Sequence, residues 1–273
     1  MKTFTLGTAQ VGGPGLLIVA GPCVVESADL CLKVAAHLKA ACAARGLPYV
    51  FKASYTKANR SSARSFTGLP TAEALEILDR VRREIGVPVL TDVHDESEVG
   101  AAAEVADVLQ IPAFLSRQTA LLQAAARSGR AVNVKKGQFL APDDMTQVVE
   151  KLTAAGGTRI LLTERGTTFG YHDLVVDLRG LVTMRDLGWP VLYDATHSLQ
   201  RPGGEVSGGD RRFAVPLMRA AVACGIDGLF FETHPEPARA LSDAATQLPL
   251  AEVEGFLDEA RRVREAVSER AHA

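Results

Sequence analysis

Two sets of side chains in this sequence have the chemistry of a catalytic site. The first is cationic: Lys52, Lys57, Arg60, Lys135 and Arg165. Lysine and arginine together suit phosphate and carboxylate, arginine through its planar fork and lysine as a compact charge. The second is Cys23, His197, Glu232 and Asp243. Thiolate, imidazole and two carboxylates suit a divalent metal, zinc, iron(II) or manganese, with softness favouring the first two. No local metal motif joins these four, so the reading depends on elements that bring distant residues together. Each residue also has an ordinary structural use. Glu164, Asp92 and Glu232 could pair with the cations in a structural network, and a lone His197 would be a core or loop histidine. Such a network accounts for one or two of the cations more easily than for all of them.

The elements that would position these residues alternate along the chain. Short apolar runs at 16–21, 49–54, 87–93, 108–111, 131–136, 159–164, 190–196 and 228–234 read as strands. They are continuous rather than alternating, as expected of parallel strands covered by helices. Amphipathic runs at 28–45, 71–85, 96–103, 117–128, 142–155, 178–187, 211–224 and 250–271 read as helices between them. Thr71 has the chemistry of an N-cap, and Pro142-Asp143-Asp144 opens a helix with negative charge in its first turn. Gly46, Gly129 and Gly225 stand where helices close.

Eight β/α pairs over about 250 residues have the size and order of a TIM (β/α)8 barrel. A doubly wound open sheet is the alternative, but no GxGxxG follows the first strand. Residues 1–14 read as a β-hairpin, with Phe4, Leu6 and Val11 around a Gly-containing turn, that caps the barrel bottom. No linker divides residues 1–273, so one domain is expected. In a barrel, polar residues at the C-terminal ends of strands form the site. Both chemical sets fall at such ends, and strands 8 and 1 adjoin where the barrel closes.

Bulk properties narrow the function classes. The chain has 273 residues, 32 acidic and 30 basic side chains, and a formal net charge of −2, so any anion must be held by a local cluster. No basic stripe interleaved with aromatics points to nucleic acid. No run approaches the 18 or so apolar residues of a membrane span, and residues 1–10 lack a secretory h-region. Cys23, Cys31, Cys42 and Cys224 form no CxxC pair or disulfide framework, which implies a reducing, cytoplasmic home. Cys31, Cys42 and Cys224 read as small buried apolar residues; Cys23, after Gly-Pro at a strand end, does not.

Several stretches closely resemble the 3-deoxy-D-manno-octulosonate 8-phosphate synthases. They are Ala20-Gly-Pro-Cys-Val-Val-Glu-Ser27, Phe51-Lys-Ala-Ser-Tyr-Thr-Lys-Ala-Asn-Arg-Ser-Ser62 and Asn133-Val-Lys-Lys-Gly-Gln-Phe139. Glu164-Arg-Gly166 with Phe169-Gly-Tyr171, Asp194-Ala-Thr-His-Ser-Leu-Gln200, Phe231-Glu-Thr-His-Pro235 and Leu241-Ser-Asp243 join them. The match runs from about Leu16 to the last helix. The Lys-Ala-Asn-Arg-Ser-Ser run is the most specific piece, since the enzymes that make the seven-carbon shikimate precursor typically carry Lys-Pro-Arg-Thr there.

The resemblance implies a TIM barrel, commonly a homotetramer, that condenses phosphoenolpyruvate with D-arabinose 5-phosphate and releases inorganic phosphate. The product feeds the inner core of lipopolysaccharide. Members with cysteine at the place of Cys23 depend on a metal, and those with asparagine do not, so this chain looks metal-dependent. Ser242-Asp243 points the same way, because the other branch tends to carry Cys-Asp. Ala244 stands where glycine is usual. The resemblance assigns phosphoenolpyruvate to Lys52, Lys57, Lys135, Arg165 and His197, with Gln110 and Phe114 nearby and Gln138 placed among the substrate-binding residues. It assigns the sugar and its phosphate to Asn59, Arg60 and Ser61, with Arg60 reaching a neighbouring subunit's site. Asp92 either hydrogen-bonds the sugar or its water or caps the loop after the third strand. Two rivals remain: a seven-carbon homologue that takes erythrose 4-phosphate, and a non-catalytic barrel that binds phosphometabolites.

Overall fold

The computed structural model describes residues 1–58, 66–201 and 208–270. An N-terminal hairpin pairs β1 (Phe4–Leu6) antiparallel with β2 (Ala9–Val11), with Gly7 in the turn at φ 54°. The chain then alternates. β3 (Leu17–Gly21), α1 (Ala28–Ala43), β4 (Tyr49–Lys52), α2 (Thr71–Arg80), β5 (Val89–Asp92) and α3 (Val99–Val105) come first. β6 (Val108–Ile111), α4 (Thr119–Arg127), β7 (Ala131–Lys135), α5 (Met145–Ala154) and β8 (Ile160–Glu164) follow. A small antiparallel hairpin, β9 (Thr167–Gly170) and β10 (Asp173–Val175), precedes α6 (Arg179–Asp186) and β11 (Val191–Asp194). The two-residue strands β12 (Gln200–Arg201) and β13 (Gly208–Gly209) precede α7 (Ala214–Ala223) and β14 (Gly228–His234). β15 (Leu248–Pro249) and α8 (Val253–Arg270) end the described chain.

The main sheet runs β11-β8-β7-β6-β5-β4-β3-β14, and β11 also pairs with β14, which closes eight parallel strands into a barrel. Every residue of β3, β4, β5, β6, β7, β8, β11 and β14 is buried, which explains why their sequences are continuous apolar runs. The TIM-barrel expectation therefore holds, and so does the N-terminal hairpin. One apolar layer lies between barrel and helices. A second fills the barrel interior with Leu17, Val19, Val50, Leu90, Val108, Leu161, Leu192 and Phe230, and joins Leu6, Ala9 and Val11 of the hairpin. Full burial of such a side chain contributes about 1.5–3 kcal/mol, so this packing anchors a hairpin of only six paired residues. Among the described residues no helix is long and apolar enough to cross a membrane.

Helix ends differ from the sequence expectations in instructive ways. Thr71 is not an N-cap: it is the first helical residue, and Pro70 in the cap position supplies no side-chain hydrogen bond. The run 71–85 is α2 followed by a π turn, Val81–Ile85. The runs 96–103, 142–155, 211–224 and 250–271 begin with tight 3-10 turns, Glu96–Glu98, Pro142–Asp144, Arg211–Phe213 and Leu250–Glu252. Such turns satisfy terminal backbone groups that periodicity cannot reveal. Gly46, Gly129 and Gly225 do close helices, at φ 64°, 73° and 85°. The sequence does not signal the β9–β10 hairpin, because none of its strand residues is buried and they form no strand-like apolar run.

Gly21 matters for a different reason, close approach. A Cβ added there would lie 2.1 Å from the backbone oxygen of Lys52. Gly21→Ala should therefore push β3 and β4 apart, with an overpacking cost of about 1–3 kcal/mol. Urea unfolding checks this, and an unchanged midpoint would refute it.

Candidate active site

Barrel closure decides which residues meet. The register β14–β3 sets Glu232 beside Gly21, and β11–β14 sets Asp194 beside Phe230. The strands that carry Cys23, His197 and Glu232 are thus adjacent. Cys23 Sγ lies 3.1 Å from Asp243 Oδ2 and 2.9 Å from Ser242 Oγ, although 220 residues separate Cys23 from Asp243. The donor atoms of Cys23, Glu232 and Asp243 all lie within 4.8 Å of one another. His197 stands just outside this trio, its Nε2 3.5 Å from Glu232 Oε1 and 3.7 Å from Asp243 Oδ2.

This donor set fits a divalent ion. Glu232 Oε2 is buried with no hydrogen-bond partner, and the carboxyl stays ionised. Burial opposes that ionisation, but His197, Lys52, Lys57 and Lys135 together outweigh it. Burial pushes the Cys23 thiol well above its usual pKa, with Asp243 and Glu232 pushing the same way. Asp194 orients the imidazole. Its Oδ1 accepts from the backbone N of His197 at 2.8 Å, and its Oδ2 lies 2.8 Å from Nδ1, which leaves Nε2 facing the carboxylates. Ala244 itself does not need a glycine's left-handed backbone, since the left-handed residue of this loop is Asp243, at φ 49°.

The cations converge on the adjoining space. Lys52, Lys57, Asp92, His94, Gln110, Phe114, Lys135, Arg165 and His197 line one cavity at the C-terminal end of the strands. Lys52 Nζ donates to Glu232 Oε1 at 2.5 Å and to Cys23 O at 2.8 Å. Lys135 Nζ donates to Asp194 Oδ2 at 2.7 Å and sits 3.8 Å above the Phe230 ring. Its pKa is lowered, because burial outweighs the pull of Asp194. Lys57 is half-buried. Burial pulls its pKa down, but Cys23, Glu232, Asp92 and Asp243 raise it further, so it remains charged. Arg165 differs from these lysines. Its Nη2 donates to Gln200 Oε1 at 2.9 Å, while Nε and Nη1 are buried without partners. The structural-network alternative thus covers Lys52, whereas Arg165 keeps donors to spare for an anion.

Asp92 ends a directed hydrogen-bond chain through the barrel. Thr163 Oγ1 donates to Asn133 Oδ1 at 2.7 Å, and Asn133 Nδ2 donates to Gln110 Oε1 at 2.8 Å. Gln110 Nε2 donates to Asp92 Oδ1, and Ser54 Oγ to its Oδ2. Burial would raise the Asp92 pKa, yet Lys52, Lys57, His94 and the Ser54 bond hold it well below the usual range. Asp92 is therefore an ionised acceptor inside the cavity.

Several placements depart from the sequence reading. Gln138 is buried but is not among the residues that line the cavity. Phe114 lines it while remaining 53% exposed. Cys224 is half-buried rather than buried. Asn59, Arg60 and Ser61 lie outside the described residues. In the sequence Asp194 stands out only as the first residue of the stretch Asp194–Gln200, yet it holds both Lys135 and His197. Its spacing three residues before His197 was the available signal. Asn133 and Thr163 gave none, because one buried polar residue in a strand looks like any other.

A family model described as the DAHP synthetase I family matches residues 7–269. The chain belongs to the DAHP synthetase I family. Relatives of high identity agree in name. A 2-dehydro-3-deoxyphosphooctonate aldolase of Trichlorobacter lovleyi is 52% identical over 259 residues, 94% of this chain and 95% of the relative. One of Acidithiobacillus ferrooxidans is 55% identical over 242 residues, 88% and 86% of the two chains. One of a Cyanothece species is 53% identical over 258 residues, 94% of each. As a DAHP synthetase I family member, the chain keeps its polar cluster where a barrel places chemistry, at the C-terminal ends of the strands.

Proposed function

We propose that this chain condenses phosphoenolpyruvate with D-arabinose 5-phosphate and water, forming 3-deoxy-D-manno-octulosonate 8-phosphate and inorganic phosphate. The observation that carries this reading is a cation-lined cavity beside a thiol–imidazole–carboxylate cluster, in a chain more than half identical to aldolases named for that product. The family description names the seven-carbon synthases, but the relatives' names favour the eight-carbon product. The product would enter lipopolysaccharide inner-core synthesis in the cytoplasm.

Arg165, Lys52, Lys57 and Lys135 would hold the phosphate and carboxylate of phosphoenolpyruvate. Arg165 keeps uncommitted donors at Nε and Nη1, on different edges of the guanidinium, so each is free for a separate anion oxygen. Carbon 3 of phosphoenolpyruvate attacks the sugar aldehyde, water adds at carbon 2, and the carbon–oxygen bond breaks to release phosphate. Preorganised cations offset the charge that develops on the aldehyde oxygen. Asp92 is placed to accept a hydrogen bond from a sugar hydroxyl or from water. Asn59, Arg60 and Ser61 are assigned to the sugar phosphate. Cys23, His197, Glu232 and Asp243 would hold a divalent metal, as in the metal-dependent branch. Bound there, the ion would supply Lewis acidity toward the aldehyde or a water. A homotetramer, with Arg60 reaching a neighbouring site, is supported by Phe139, Phe169 and Tyr171, which are 54, 78 and 98% exposed in the segments after β7 and β8.

The test is phosphate release with each sugar phosphate, with and without a chelator. Arabinose 5-phosphate should be the faster acceptor, and chelation should abolish turnover until divalent metal is restored. Faster release with erythrose 4-phosphate would overturn the acceptor, full activity of a metal-free sample would remove the metal, and no release with either would favour a non-catalytic binder.

A further inference from the structure

We infer that Glu26 is a positioning residue that holds the Asp243 loop at ligand distance from Cys23 and so sets the affinity for the divalent ion; the inference rests on the metal reading of that site. Glu26 follows Cys23 by three residues and precedes Ser27, the N-cap of α1. Its Oε1 accepts a hydrogen bond from the backbone N of Leu241 at 3.1 Å, across 215 residues of sequence. Leu241 stands two residues before Asp243. The Leu241 side chain is half exposed, so burial does little to anchor this end of the loop. The other end is tied by Gln247, whose Nε2 donates to Ser242 O at 2.7 Å.

The second oxygen faces β14. Glu26 Oε2 lies 3.8 Å from His234 Nε2. His234 Nδ1 accepts from the backbone N of Glu236 at 3.0 Å, so a neutral ring carries its proton on Nε2. That nitrogen is buried and makes no hydrogen bond, and Glu26 is the carboxylate it faces. One side chain thus connects the segment that carries Cys23, the end of the strand that carries Glu232, and the loop that carries Asp243. The connection has strain to oppose. Asp243 sits at φ 49°, a left-handed conformation that a residue with a β-carbon keeps only when its surroundings hold it there. Partners beyond the ligands commonly set metal affinity in this way.

The experiment is a competition titration of Zn2+ between a chromophoric chelator and the metal-stripped full chain. Wild type, Glu26→Ala, Glu26→Gln and Cys23→Ala are compared. Glu26→Ala should weaken zinc binding about 10–100-fold. Glu26→Gln, which keeps an oxygen for Leu241 N, should recover most of that loss. Thermal unfolding of the metal-free Glu26→Ala protein should stay close to wild type, because the tether acts on one loop. Wild-type affinity in Glu26→Ala would overturn the inference, and so would a Glu26→Gln protein as weak as Glu26→Ala. Equal zinc affinity in wild type and Cys23→Ala would remove the metal reading itself, and the inference with it.

Discussion

Arg165→Met should cut kcat/KM by roughly 10²–10⁴ while leaving the barrel as stable as before, or more so. Arg165 is a buried guanidinium with two uncommitted donor nitrogens and, among the described residues, no ion-pair partner within 4 Å. Burial lowers its pKa, and distant carboxylates led by Asp194 only oppose that shift, so the charge is costly to keep. A site retains such a charge when an anion compensates it. Two charge-assisted hydrogen bonds at about 1.5–3 kcal/mol each correspond to a loss of roughly 10²–10⁴ in kcat/KM. Gln200 would lose its donor, a cost of about 1 kcal/mol set against relief of the unpaired charge. Arg165→Lys should fall between, since a compact ammonium does not reproduce donors spread over two edges of a guanidinium. Steady-state phosphate release and thermal unfolding together decide. A large drop in melting temperature with activity intact would make Arg165 a structural residue.

Lys136→Met should do the opposite, with its effect on stability. Lys136 is fully buried beside the cavity-lining Lys135 but turns away from the cavity. Its Nζ donates to Gly137 O, Leu140 O and Thr167 Oγ1, and lies 3.6 Å from Glu164 Oε2. Burial pushes the Lys136 pKa down and the Glu164 pKa up, and each partner offsets only part of the shift. The pair is thus expensive to bury and more expensive to break. Removing the lysine leaves an uncompensated carboxylate that still accepts from Gly166 N at 2.6 Å, and should cost about 3–5 kcal/mol. Adding Glu164→Gln keeps the Gly166 acceptor and removes the stranded charge. The double variant should therefore recover much of the loss, as a double-mutant cycle from urea unfolding would read. No recovery would mean that the carbonyl contacts, not the charge pair, hold this corner.

The two adjacent lysines show where sequence reading stopped. Lys135 ends β7, Lys136 is the next residue, and the two are chemically equal on paper. The period of two sends them to opposite faces, one toward the cavity and one toward the β8–β9 turn. Their partners, Asp194 and Glu164, were visible as strand-end carboxylates, but nothing local assigned either to either. The Lys52–Glu232 pair spans 180 residues, and no spacing signal reaches that far.

Strand identity was legible because eight continuous apolar runs record full burial on both faces, and alternation with amphipathic segments follows from parallel crossovers. The chemical types of the site were legible too, since only side chains at strand ends escape that apolar demand. The tertiary structure decided the rest: which cation keeps free donors, which carboxylate oxygen stays unpartnered, and that Asp194 bonds His197 while Glu26 bonds the loop before Asp243. Those outcomes depend on the register between β11, β14 and β3 where the barrel closes. Closure is a contact between the two ends of the chain, and no local pattern of residues encodes it.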